Sequence, residues 1–352
     1  MSARLSSKTR QPNIILFVFA LLGMAVTACS DQDQTEAARF FLKGNLALEQ
    51  KEYAGAIRYY NEALEKQNDL PDVHSNRGIA YLRMGELDKA LEDFNKALEI
   101  DKNFDQAYFN RAGVLIDKNE FAPAAADLEQ IRKAYQDSSN YYLKWGDLKS
   151  QQGYYEQALS EYDRALTLRP ENVQALVNRG AVYFTGKNFK EAQADFEKAL
   201  QLNPQQELAY NNLALIFARN NQPEKALKFI DRALDFDVVN PIYLNNKGYV
   251  LLLQNNLEEA KKLIDQSLAK APENSYAHRN SGLYFLRKNQ TAEALAAFKK
   301  AYSLDPSTDQ IHAWLGEALF LSGQKEKACK TWRQGKALGD DESAIKFNQK
   351  CN

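Results

Sequence analysis

The chain has 352 residues, 45% hydrophobic and 26% charged, a balance that fits a folded protein and excludes a disordered one. Its 45 Lys and Arg nearly cancel 46 Asp and Glu, and it holds only three Cys. There is thus no basic footprint of a nucleic-acid binder and no disulfide-built scaffold. Gly (16) and Pro (9) are scarce, and the abundance of Ala, Leu, Glu, Lys and Gln predicts helix.

The first segment, 1–28, reads as a cleaved leader. Arg4, Lys8 and Arg10 make a basic start, and Ile14 to Val26 is an uncharged apolar run of 13 residues. That run is short for a bilayer-spanning helix and suits the core of a signal peptide. Val26-Thr27-Ala28-Cys29 then resembles the bacterial lipobox. The resemblance implies acylation of the Cys29 sulfur and cleavage just before it. Several acyl chains on one Cys give stable anchoring where one chain is marginal. Residues 29–36 would form a tether to the membrane. Ser30, rather than Asp, directly after the Cys suggests the outer membrane. The chain would then face the periplasm or the cell surface.

From residue 37 a single pattern repeats every 34 residues. Gly44, Gly78, Ala112, Gly146, Gly180, Ala214, Gly248, Gly282 and Gly316 stand in register without an insertion. Twelve residues after each comes Ala, from Ala56 to Ala328. Four further on is a large apolar residue: Tyr60, Phe94, Leu128, Tyr162, Phe196, Ile230, Ile264, Phe298, Trp332. Pro170, Pro204, Pro272 and Pro306 punctuate four junctions. The pattern resembles the tetratricopeptide repeat over 37–342. The small residues let two helices approach, and the bulky one fills the groove between them. A hairpin of this kind cannot bury its apolar faces alone, so stacking supplies the core. The expected fold is all-α: a right-handed α-solenoid superhelix of nine helix-turn-helix hairpins. The third and fourth repeats depart most, with Ile131 at a small-residue position, Lys149 at an apolar one, and no Pro in 136–140. Local accommodation, or a softer joint, is expected there.

The far end, 343–352, reads as a capping helix. With Cys29 lipidated, Cys329 and Cys351 remain, and an even pair in an exported chain reads as a disulfide. Gly339-Asp340 looks like a helix stop followed by a new N-cap. The two cysteines lie at equal distance on either side of Asp340, so antiparallel helices would bring the sulfurs level.

Signatures of catalysis are missing: there is no phosphate-binding Gly-rich loop, no paired-His zinc motif and no Ser nucleophile elbow. We therefore expect no enzyme, no cofactor, no metal and no small-molecule substrate. His74, His278 and His312 all fall at position four of their repeats and read as packing residues. The resemblance implies a concave face lined by the first helix of each hairpin, with positions 2, 5, 6, 9, 12 and 13 toward a ligand. Position six carries Asn76, Asn110, Asn178, Asn212, Asn246 and Asn280, broken at Leu42, Lys144 and Trp314. An Asn amide both donates and accepts, and so can pair with a peptide backbone of any sequence. Asn at this position is also common in the repeat generally, where it binds neighbouring helix edges. Phe109, Phe184, Tyr249, Tyr276, Arg219, Arg279 and Arg287 stand nearby as candidate anchors. The Lys-and-Asn pattern with which one subtype clamps a C-terminal carboxylate does not occur. The expected role is a lipid-anchored adaptor that binds an extended segment of a protein or peptide in the cell envelope. The alternative is a cell-wall- or glycan-associated structural protein.

Overall fold

The computed structural model describes residues 14–351, with side chains from Gln32 onward. The basic start of the leader and the side chain of Cys29 lie outside the described residues. No helix of the described residues is long and apolar enough to cross a membrane. Every regular element described is a helix, and the chain divides into two compact units at Pro170.

The first unit holds four hairpins. They pair α1 (Ile14–Glu49) with α2 (Tyr53–Lys66), and α3 (Pro71–Arg83) with α4 (Leu87–Ile100). Next come α5 (Asp105–Asp117) with α6 (Phe121–Gln130), a short α7 (Arg132–Tyr135), and α8 (Ser139–Gln151) with α9 (Tyr155–Leu168). The segment expected as a tether is helical within α1. Its end is docked: Ala37 is buried, and Lys66 pairs with Glu36 at 2.7 Å.

The second unit holds five hairpins and a cap. They pair α10 (Val173–Thr185) with α11 (Phe189–Leu202), α12 (Glu207–Arg219) with α13 (Pro223–Leu234), and α14 (Pro241–Leu253) with α15 (Leu257–Lys270). Then follow α16 (Ser275–Arg287) with α17 (Thr291–Leu304), α18 (Ile311–Leu321) with α19 (Lys325–Ala337), and the capping helix α20 (Asp341–Lys350).

The 34-residue register is a packing register. Ala56, Ala90, Ala124, Ala158, Ala192, Ala226, Ala260, Ala294 and Ala328 are all 0% exposed, and the bulky series four residues on is buried with them. A Cβ built on Gly282 would stand 2.5 Å from the Phe298 ring, and one on Gly78 would stand 2.9 Å from Phe94. Where the small residue is Ala rather than Gly, its partner is aliphatic: Ala112 with Leu128, Ala214 with Ile230. Aromatic rings occur only opposite Gly. In eight of the nine hairpins Gly on the first helix goes with an aromatic ring on the second, or Ala with an aliphatic group, as expected of interiors packed to crystal density. Gly248 with Ile264 is the exception.

A second register sets the turns. Lys51, Gly85, Asn119, Gly153, Lys187, Asn221, Asn255, Asn289 and Gly323 all have φ between 55° and 79°. Each is the left-handed residue that ends a first helix. The next N–H bonds back across the turn, as Glu86 N does to Tyr81 O at 3.0 Å and Gln290 N to Phe285 O at 2.9 Å. This is the Schellman closure, and Gly or Asn fill it at least cost. Lys51 takes the strained conformation with a full side chain, at roughly 1–2 kcal/mol. Lys51→Gly should therefore stabilise the first unit by about 0.5–1 kcal/mol in urea unfolding. Unchanged or reduced stability would contradict that cost.

Bidentate Arg–Asp pairs tie the two helices of three hairpins. Arg77 reaches Asp93 at 2.9 and 2.6 Å, Arg111 reaches Asp127 at 2.7 and 2.6 Å, and Arg179 reaches Asp195 at 2.8 and 2.6 Å. The irregularity expected in repeat three is visible as a break between α6 and α7. It falls at Ile131, whose bulk is buried where most other repeats carry Ala.

At the far end Gly339 has φ +78°, and the Asp340 side chain caps α20 by accepting from Ser343 N. The cap begins at Asp341, two residues before the expected boundary. Cys329 and Cys351 are joined in a disulfide, with Cα atoms 5.7 Å apart. Lys350 and Lys346 bind Glu317 of α18 at 2.8 and 3.1 Å. Burial pushes the Glu317 pKa up, but the bonds from the two lysines outweigh it and hold the carboxyl below its usual range.

Candidate functional site

The second unit contains a groove of about 1410 Å³. The first helices of its hairpins build the wall from the positions expected to face a ligand. Position 2 gives Ile242, Tyr276 and Gln310. Position 5 gives Asn211, Asn245 and Arg279, and position 9 gives Leu215 and Tyr249. Phe184, Thr185 and Arg219 come from helix ends, and Lys187 from the turn after α10. Leu208, Ile242 and Tyr276 repeat at position 2 of three successive hairpins and are 50%, 54% and 42% exposed. They make an apolar stripe at ligand-facing positions, where the earlier repeats carry Ala38, Asp72, Gln106, Asn140 and Gln174.

Three of the position-six asparagines, Asn76, Asn246 and Asn280, bond the neighbouring helix, the structural alternative to the peptide ladder. Asn280 is 1% exposed, and its Nδ2 donates to Asn245 Oδ1 at 2.8 Å. Asn246 Nδ2 donates to Asn211 Oδ1 at 2.8 Å. Within each helix Asn245 donates to Asn246 at 3.3 Å, and Asn211 to Asn212 at 3.4 Å. A relay thus runs Arg279, Asn280, Asn245, Asn246, Asn211, Asn212 and staples α16, α14 and α12 together. Asn280 is enclosed in it and is not free to meet a ligand; Asn246 reaches the groove wall with its remaining capacity. For both Asn246 and Asn280 the acceptor is the position-5 Asn of the preceding helix. That signal, Asn211 and Asn245 one repeat apart, was legible in the sequence and was missed.

The remaining expected residues fall as follows. Asn178 and Asn212 are partly buried on α10 and α12, and Asn178 accepts from Gln174 at 2.7 Å. Arg287 is exposed at the end of α16 and does not line the groove. In the first unit Asn76 donates to Asn45 at 2.8 Å, again a bond between neighbouring helices. Asn110 accepts from Gln106 at 3.1 Å. Phe109 is stacked on Tyr135 at 5.2 Å, with Lys144 Nζ 4.6 Å over its ring. The Lys144 amine also occupies the space beside Gly113, 2.5 Å from where a Cβ would be. Burial pushes the Lys144 pKa down, opposed by the charges of Asp147 and Asp117. Lys144, which interrupts the Asn series, therefore packs against Phe109, Tyr135's stacking partner.

The charge of the groove is unevenly matched. Arg219 Nη1 bonds Asp309 Oδ2 at 2.9 Å although 90 residues separate them in sequence. Lys187 Nζ lies 3.4 Å from Gly339 O. Asp309 can reach across because α18 starts late: Gln310 is its N-cap, at φ 58°, off the regular turn register. Burial lowers the His312 pKa, opposed by the charge of Asp340. Among the described residues no group of three metal-ligating side chains comes together.

Models of the tetratricopeptide repeat match residues 44–85, 71–104, 143–207, 183–245, 245–309 and 285–346. The chain belongs to the tetratricopeptide repeat family. The small glutamine-rich tetratricopeptide repeat-containing protein 2 of Mycosarcoma maydis is 35% identical over 63 residues, 18% of this chain. The chain spans 18% of that relative's length. The Cut9–Hcn1 hetero-tetramer structure is similar in fold, with TM-score 0.60 and 13% identity, over 90% of this chain and 76% of that one. PilW, a type IV pilus biogenesis factor, is 24% identical with TM-score 0.47, over 56% of this chain and 92% of its own.

Proposed function

We propose that this protein is a lipid-anchored adaptor of the bacterial cell envelope that holds an extended segment of a partner protein in the groove of its second unit. The observation that carries the reading is the groove wall. Aromatic and apolar side chains and one buried Arg, on rigid helices, face a space of about 1410 Å³. Interfaces are dominated by such anchors. Helices packed about 9–10 Å apart match about three residues of extended chain at about 3.3 Å each. The stripe Leu208, Ile242, Tyr276 would accordingly meet every third side chain of the partner. The Asn relay keeps the wall rigid, so less ordering entropy is lost on binding.

Anchoring rests on the lipobox around Cys29. Cys29→Ser should abolish acyl labelling and release the protein from membranes or leave it unprocessed. Equal membrane retention with a normal acyl signal would remove the anchor from the proposal. For the groove, Tyr249→Ala with Phe184→Ala should weaken partner binding by about 2 kcal/mol or more in calorimetry. Wild-type affinity in that double variant would exclude the groove as the interface.

A further inference from the structure

We infer that the groove selects partners carrying an internal Asp or Glu side chain, which docks on Arg279. This rests on the groove reading above and specifies it. Arg279 lines the groove yet is only 6% exposed. No carboxylate of the described residues lies within ion-pair distance of its guanidinium, and the acid nearest in function, Asp309, gives its carboxylate to Arg219 at 2.9 Å. Only neutral acceptors hold Arg279. Nε and Nη2 donate to Asn280 Oδ1 at 3.2 and 2.9 Å, and Nη1 donates to the Asp309 backbone oxygen at 3.0 Å. A guanidinium has five N–H donors, so two remain without an acceptor.

Two rings complete the setting. The Arg279 Cζ lies 5.2 Å from the ring centroids of both Tyr249 and Tyr276. Both rings therefore flank the guanidinium. A buried charge without a counter-charge is costly. One N–H on Nη1 and one on Nη2 are left for a carboxylate, and such charge-assisted bonds are about twice as strong as neutral ones. The partner's acid is internal to its chain, because the groove continues on both sides of Arg279. It runs back to Phe184 and Lys187 and onward to His312 and Asp340. Glu273, Asp309 and Asp340 on the same wall disfavour a partner with many acids. One acid among apolar residues, the latter for Ile242 and Leu215, fits best.

The test is to pan a randomised library of 12-residue peptides, acetylated and amidated at their ends, on the full chain. The expected result is an Asp or Glu fixed at one internal position. Asn or Gln at that position should weaken binding about tenfold to a hundredfold. Arg279→Gln should remove the difference between acid and amide peptides, and Arg279→Lys should keep part of it. Thermal melting of both variants checks that they fold. If Arg279→Gln does not fold, the acid-to-amide comparison on the wild-type chain still decides. Binders without a fixed internal acid, or an acid preference unchanged in Arg279→Gln, would overturn this inference and leave the groove reading standing. Binding only to peptides with a free C-terminus would overturn it equally. No binders at all would overturn both.

Discussion

Replacing Gly282 with alanine should destabilise the second unit by about 1–3 kcal/mol, although alanine is the better helix former by about 1 kcal/mol. The added methyl would stand 2.5 Å from the Phe298 ring, which is 0% exposed and cannot swing away. Phe298→Leu alone should also destabilise, because it leaves a void in a closed core. Together the two changes recreate the Ala112–Leu128 pairing already used in repeat three. The double variant should therefore be more stable than the sum of the single losses by about 1 kcal/mol or more, read from a double-mutant cycle in urea. Simple additivity would mean that the Gly and aromatic positions are not size-matched. The recurrence of aromatic residues only opposite Gly would then be without physical cause.

The second large effect is expected at the C-terminal cap. Cys351→Ser opens a disulfide that spans a sequence separation of 22 residues. In the chain-entropy model the loss is about 3 kcal/mol. The last hairpin then relies on Phe347 against the core and on the Lys346 and Lys350 bonds to Glu317. Hydrogen exchange should accelerate in α18, α19 and α20 and far less in α12, because stacked repeats unfold from their ends. Uniform acceleration through the second unit, or no change in α20, would contradict a local capping role.

Much of this was legible in the sequence because the repeat constrains every hairpin in the same way. The step from Gly44 to Gly316 located the helix crossings, and the bulky residue sixteen further on located the core. The C-terminal pair of cysteines was legible for the same reason, since helices that turn back at Gly339 put both sulfurs at one level. The left-handed turn residue escaped notice because Gly, Asn and Lys share it, so its period is of conformation rather than of chemistry. The site was only half legible. Of the candidate anchors, Phe184, Arg219, Tyr249, Tyr276 and Arg279 line the groove, and Phe109 and Arg287 do not. The asparagines were harder, because an amide bonds whatever acceptor is nearest. For Asn246 and Asn280 that is the position-5 Asn of the preceding helix. The late start of α18, which brings Asp309 to Arg219, depends on loop geometry that no period announces.

Site-specific photo-crosslinking in the cells that make this protein tests the groove most directly. A photoreactive residue would be placed at Ile242 or Tyr276, on the apolar stripe, and for comparison at Ile345 on α20 or Leu168 on α9. All four are exposed. A groove that holds an extended segment gives cross-links from 242 and 276 to one partner stretch, at partner residues about three apart. It gives none from 345 or 168. Cross-links confined to 345 or 168, or scattered over unrelated partner residues from 242 and 276, would contradict it.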